Sequence, residues 1–122
     1  MSYSYERLDH VQIAAPYNGE SKARAFYKDI LGFKEIEKPA SLRRNGGAWF
    51  RSGSVELHVG IEADFQPARK AHPAIRVKQI EALKIHLQAY EITIKEDHQL
   101  PGANRFYVND FFGNRIEFLE WE

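Results

Sequence analysis

Five side chains capable of acid–base or metal chemistry stand out along the chain: His10, Glu56, His58, His72 and Glu117. Imidazole nitrogens and carboxylate oxygens are the donors that a borderline divalent ion takes. Two histidines with one or two carboxylates, leaving open positions, suit Fe, Mn, Co, Ni or Zn. A carboxylate in such a set can also act as a general base. These residues lie far apart in sequence, and no short motif such as HExxH joins them. Their meaning therefore depends on the elements that carry them.

Strand parity places them together. In LDHVQIAA (Leu8–Ala15), Val11 and Ile13 fall on one parity and His10 and Gln12 on the other. In SVELHVG, Val55, Leu57 and Val59 oppose Glu56 and His58. In HPAIRV, Ile75 and Val77 oppose His72, Ala74 and Arg76. In NRIEFLE, Ile116 and Phe118 oppose Arg115, Glu117 and Leu119. Each strand offers one face for helices to cover and one face carrying ionisable groups. A polar parity is usually just a solvent face. Repetition of His and Glu, rather than Lys, Ser and Thr, favours a site. Neighbouring strands would then converge all five residues on one concave surface.

The remaining pattern supplies the elements. Glu20 to Leu31 is expected to be an amphipathic helix, with Ala23, Phe26, Tyr27, Ile30 and Leu31 inward and Gly32 at its end. A short strand over 33–37 follows, then a loop over 38–47, where Arg43 and Arg44 could clamp an anion but read more simply as a solvated pair. Ala48–Arg51 and Ser54–Ile61 form a hairpin around Ser52-Gly53. The second half repeats the order: a strand over 72–77, a helix from Gln79 to about Tyr90 with Ile80, Leu83, Leu87 and Tyr90 inward, and a strand over 92–95. A loop over 97–104 and a hairpin of 105–109 and 115–121 complete it. The order is β-α-β-β-β twice, with module 1 at about 8–61 and module 2 at about 72–121 of one domain. His72 follows His10 by 62 positions and Glu117 follows Glu56 by 61, so each histidine appears paired with a matching glutamate. Pro73 lacks an N–H donor and suits an edge strand.

Composition bounds the function. The chain has 122 residues, 17 basic and 17 acidic side chains, and no cysteine. Zero net charge leaves no general footprint for nucleic acid or an anionic membrane. No apolar run approaches the roughly 20 residues of a membrane span. No thiol is present for disulfides, zinc or nucleophilic catalysis, and no basic-then-apolar leader opens the chain, so a cytoplasmic protein is expected.

The chain resembles the vicinal oxygen chelate superfamily, which includes glyoxalase I, fosfomycin-modifying enzymes, extradiol dioxygenases and bleomycin-binding proteins. The resemblance runs from about Leu8 to Trp121. It is carried by Leu8-Asp-His-Val, Ala25-Phe-Tyr-Lys-Asp-Ile-Leu-Gly-Phe33, Val55-Glu-Leu-His-Val-Gly60, Ala71-His-Pro-Ala-Ile75 and Phe106-Tyr-Val-Asn-Asp-Phe-Phe-Gly-Asn-Arg-Ile-Glu-Phe118. It implies an α+β fold of two tandem βαβββ modules, whose curled mixed sheets form a metal-binding cup. It also implies a homodimer, sometimes with modules exchanged. By similarity, His10, Glu56, His72 and Glu117 occupy the metal-ligand places, and Glu56 or Glu117 serves as base. His58 is a substitute ligand or a site-lining group. Gln12, Trp49, Arg76 and Phe106 would line the substrate cup, as would Phe50 and Phe65, although aromatics are more often core.

The leading expectation is a metal-dependent, glyoxalase-like lyase or isomerase acting on a small molecule with vicinal oxygens. The alternatives are a non-enzymatic, bleomycin-resistance-like binder of small molecules and an extradiol-type dioxygenase using His10, His72 and Glu117. The fosfomycin pattern of arginine, lysine and tyrosine is not evident. His86 and His98 read as surface residues, and the turn 110–114 as structural through Gly113 and Asn114.

Overall fold

A computed structural model describes residues 2–122. Two four-stranded mixed sheets carry the fold. The first is ordered β1 (Val11–Ala15), β4 (Val55–Ile61), β3 (Ala48–Ser52), β2 (Lys34–Ile36). The second is ordered β5 (Ala74–Arg76), β8 (Arg115–Trp121), β7 (Ala103–Asn109), β6 (Lys95–Asp97). In each, the first strand pairs in parallel with the fourth and the others run antiparallel. The expected double βαβββ order and α+β class are therefore observed. β5 is an edge strand, which accommodates Pro73 just before it.

The first helix begins as α1 (Glu20–Ala23) and widens into a π-helical stretch over Arg24–Ile30. Leu31 N–H reaches the Phe26 carbonyl, five residues back, at 2.9 Å. The wider turn lets the adjacent Phe26 and Tyr27 both be fully buried, beside Ala23 and Ile30. Gly32 ends it at φ +82°, the left-handed turn expected there. α2 (Ile80–Ala89) buries Ile80 and Leu87. Tyr90 falls outside the helix and is half exposed, tilted against the His86 ring, so it is not part of the apolar stripe.

Other boundaries differ from expectation: β1 begins at Val11 rather than Leu8 and β5 at Ala74 rather than His72, which leaves His10 and His72 just ahead of their strands. Residues 40–45 form a short 3₁₀ helix within the segment read as a loop. The strand expected over 92–95 begins only at Lys95, because Ile92 and Ile94 pack against the core before sheet pairing starts. β7 starts at Ala103, inside the expected loop. No helix is long and apolar enough to cross a membrane among the described residues.

Helix α2 depends on an acceptor distant in sequence. Gln79, at its N-terminus, has left-handed φ of 59°, and its side chain makes no capping bond. The Glu120 carboxylate accepts the Gln79 and Ile80 N–H groups instead, each at 3.0 Å. Those two bonds hold the Glu120 carboxyl below the ordinary glutamate value of 4.5. A lowered folded pKa stabilises the native state above that value and is lost as pH falls through the folded pKa. Glu120→Gln is expected to lower the melting temperature at neutral pH. Its stability should also decline less steeply than wild type below about 4.5, which thermal melts across an acid series would measure.

The halves are tied together at the β7–β8 turn. Buried Asp110 accepts the Tyr27 hydroxyl at 2.6 Å, and Asn114 Nδ2 donates to the Ala14 carbonyl at 2.7 Å. His86 Nε2 donates to the Ile30 carbonyl at 2.7 Å, so this helix residue links the modules as well as facing solvent.

Candidate functional site

The polar parities do face away from the helices. In the first sheet, His58 is buried between two rings. Trp49 stacks on it at 3.8 Å and 4°, and His10 at 4.0 Å and 16°. His58 Nε2 lies 2.7 Å from Glu56 Oε2, and Glu56 Oε1 accepts Arg51 at 2.8 and 2.9 Å. Burial pushes the His58 pKa below its ordinary value, with Glu56 partly opposing the shift. A neutral ring then donates Nε2–H to Glu56 and leaves Nδ1 with its lone pair. The Glu56 carboxyl is held down by His58 and then by Arg51.

In the second sheet, His72 Nε2 is 2.9 Å from Glu117 Oε1, while Nδ1 donates to the Lys70 carbonyl at 2.7 Å. Glu117 is buried, and Arg105 approaches it at 3.5 Å and Asp97 at 3.2 Å. Tyr107 lies beside Glu117 in the register, with the Arg115 guanidinium 3.9 Å over its ring. Burial, and then the Glu117 charge, raise the Tyr107 pKa.

Backbone register decides which residues of the two modules correspond. Gln12, two residues after His10, sits opposite His58. Ala74, two residues after His72, sits opposite Glu117. With the histidines aligned, His58 holds the place of Glu117, and Trp49 holds that of Tyr107. The expected match of Glu56 with Glu117 is thus displaced by one pleat repeat, and Glu56 corresponds to Arg115. Parity could not reveal this, because a two-residue slip leaves every side chain on the same face.

The five candidates do not converge on one point. β1 and β4 neighbour each other, as do β5 and β8, but the two pairs belong to separate sheets. No group of three His, Asp or Glu side chains is placed to hold a metal ion among the described residues. The donors form two half-sets instead: His10 with His58 and Glu56, and His72 with Glu117. An open cleft of about 1670 Å³ runs between the halves, walled by His10 and Glu56 on one side and His72 and Arg115 on the other. Gln12, Arg76 and Phe65 also line it.

Phe106 does not line the cleft. It pairs with Phe118 on the helix-facing side and is buried in the core, as is Phe50 opposite Leu57. Arg43 is exposed and pairs with Glu37 at 2.5 Å. His98 is a surface residue. Sequence reasoning missed the roles of Arg51, Arg105 and Tyr107. Each shares the polar parity of its strand, and that shared parity was the available signal.

The sequence pattern of the Glyoxalase/Bleomycin resistance protein/Dioxygenase superfamily matches residues 7–118. The chain belongs to this superfamily. Solved structures agree with that membership. A protein assigned to the glyoxalase family, from Bacillus anthracis, is 47% identical over 100% of both chains, with TM-score 0.97. Lactoylglutathione lyase from Agrobacterium tumefaciens shares the fold at 21% identity and TM-score 0.67, covering 90% of this chain and 91% of that one. TnmS3, an antibiotic binding protein from Streptomyces sp. CB03234, shares it at 17% identity and TM-score 0.73, over 100% and 99%. No curated protein matches at a significant level. The same fold thus occurs in a lyase and in an antibiotic binding protein, and the site must discriminate between such roles.

Proposed function

We propose that the chain is a metal-dependent, glyoxalase-type enzyme acting on a small molecule with two neighbouring oxygens. The carrying observation is one imidazole–carboxylate half-set per module, each on a polar sheet face. The donor chemistry fits a divalent ion such as Zn, Ni, Mn, Co or Fe. His72 also has the support that metal-bound histidines have, because its Nδ1–H donates to a backbone carbonyl while Nε2 sits beside Glu117. His10 is held through Nδ1 by Asp9 at 2.9 Å, leaving Nε2 available. The ligands would be His10, His72 and Glu117, with Glu56 or His58 as the fourth. By register His58 is the counterpart of Glu117, whereas Glu56 is the one of the two that lines the cleft. Among the described residues no three donors of one chain are arranged to hold a metal ion, so a second copy would complete the centre in a homodimer.

When bound, such an ion supplies Lewis-acid stabilisation of negative charge on two adjacent substrate oxygens. The chain's own residues handle protons. Glu56 can accept one from a substrate carbon or hydroxyl, and the hydrogen bond it receives from His58 Nε2–H at 2.7 Å holds its carboxylate in place for that transfer. Glu117 and His72 form the corresponding pair in the second sheet, with His72 on the opposite wall and Glu117 buried beside it. The stacked rings of Trp49 and His58 hold His10 in a fixed orientation.

Metal analysis tests this reading. Wild type purified without chelator should carry near-stoichiometric metal, and His10→Ala and Glu117→Ala should each lose most of it. Co-refolding the two variants should restore about a quarter of the wild-type content, because one intact site reassembles in each mixed dimer. Absence of metal under every supply would sink the enzyme proposal. Failure of the mixture to recover would sink the two-chain centre.

A second reading is favoured by the Trp49–His58–His10 column, whose cleft-side ring, His10, is 41% exposed. Such a column suits stacking of a planar ligand, and a non-enzymatic binder would keep its affinity in the Glu117→Ala protein. An extradiol oxygenase would instead consume oxygen with catechols.

A further inference from the structure

We propose that Arg115 anchors a negatively charged group of the ligand, a carboxylate or phosphoryl, at the His72 wall of the cleft. The inference rests on reading the cleft as the ligand site, and it names the chemical class that site takes. Arg51 is matched by Glu56, and Arg105 by Asp97 and Glu117. Arg115 and Arg76 line the cleft without an ion-pair partner among the described residues. The two differ in how they are held. Arg76 is exposed, whereas Arg115 is half-buried with its guanidinium 3.9 Å over the Tyr107 ring. A guanidinium that stacks by its face keeps its N–H donors in the plane, free for a planar oxyanion. Its order is already established before a ligand arrives, so little entropy is lost on binding.

The register adds a second argument. Arg115 occupies in module 2 the place that Glu56 occupies in module 1. Glu56 carries its own cation, Arg51, and a hydrogen bond from the neutral His58 ring. The two walls therefore present matched histidines but opposite charges at this position, where Glu56 is compensated and Arg115 is not. A ligand spanning the cleft would be oriented by this asymmetry, with its anionic end against Arg115 and its remaining body toward His10. Zero net charge on the whole chain means that the preference is local to this wall.

Binding of benzoate, phenylphosphate and neutral benzamide would be measured by calorimetry on wild type, Arg115→Gln, Arg115→Lys and Arg76→Gln. Wild type should prefer both anions over benzamide. Arg115→Gln should weaken the anions by at least about tenfold, as for a lost charge-assisted hydrogen bond, and leave benzamide unchanged. Arg115→Lys should fall between, and Arg76→Gln should lower anion affinity less than Arg115→Gln does. Equal binding of benzoate and benzamide by wild type would overturn the proposal. So would unaltered anion affinity in Arg115→Gln, an equal or larger loss in Arg76→Gln, or no anion binding by wild type at millimolar concentration. Melting curves and metal content of Arg115→Gln separate the possibilities. Lost anion preference in a folded protein with full metal content bears on Arg115 and supports this proposal. Preference retained in metal-free wild type supports Arg115 even if the enzyme reading fails.

Discussion

Replacing Asp110 with alanine is expected to destabilise the protein by about 3–5 kcal/mol, a large fraction of the total stability of a domain this size. Asp110 is 5% exposed. Its Oδ1 accepts the Phe112 and Asn114 backbone N–H groups, both at 2.9 Å. Its Oδ2 accepts the Tyr27 hydroxyl at 2.6 Å and Asn114 Nδ2 at 2.9 Å. Alanine would leave a fully buried hydroxyl and interior amide donors without acceptors, at about 1–3 kcal/mol for each unsatisfied group. These costs are not additive, because the turn can relax once Asn114 is released. Asn114 also bonds Ala14, so the loss spreads to β1 in the other module. Asp110→Asn should fall part-way, since Oδ1 can keep its backbone donors. Denaturant titration would read this as a lower midpoint at unchanged slope. A shift worth less than about 1 kcal/mol would contradict the role assigned to the turn.

The second large effect is expected at Gly47. A Cβ there would overlap the Val59 carbonyl oxygen, just ahead of the β3–β4 pair that positions Trp49 beside His58. The backbone also has φ of +86°, a conformation that side chains rarely adopt. Gly47 N–H is tied to Glu20 at 2.8 Å, so the segment cannot simply swing away. Gly47→Ala should cost about 2–4 kcal/mol from overlap and backbone strain together. Gly53 provides the comparison. It too has positive φ, +56°, but a Cβ there meets nothing within 4 Å. Gly53→Ala should cost only the left-handed penalty, about 1–2 kcal/mol. Equal costs at both glycines would show that steric contact with Val59 is unimportant. The emission of Trp49 should shift in Gly47→Ala and stay close to wild type in Gly53→Ala.

The Asp110 network and the Gly47 contact share one property: each depends on a partner distant in sequence. Tyr27 and Asp110 are 83 positions apart, and nothing local marks either as half of a bond. The turn over 110–114 was legible as a turn through Gly113 and Asn114, but its organising carboxylate was not. Likewise, helix α2 was legible from Ile80, Leu83 and Leu87, while its cap, Glu120, comes from the last strand. Phe106 was misplaced because an aromatic residue next to a polar parity fits a cup wall and a core equally well until pairing with Phe118 assigns its side.

Alternation and periodicity by themselves determined the duplicated βαβββ order, the helix-facing and polar faces of each strand, and the residue types on the polar faces. Those features follow from the pleat and the helical repeat, which are local. Only the tertiary structure decided which polar residue stands beside which. Parity repeats every two residues, so it cannot distinguish Glu56 from His58 as the counterpart of Glu117, and hydrogen-bond register can. Nor could parity tell that the histidines and carboxylates divide into two half-sets on separate sheets, or that Arg115 lacks the carboxylate that its neighbours have. Those facts depend on contacts between segments far apart in the chain, and such contacts exist only once the sheets have closed on their core.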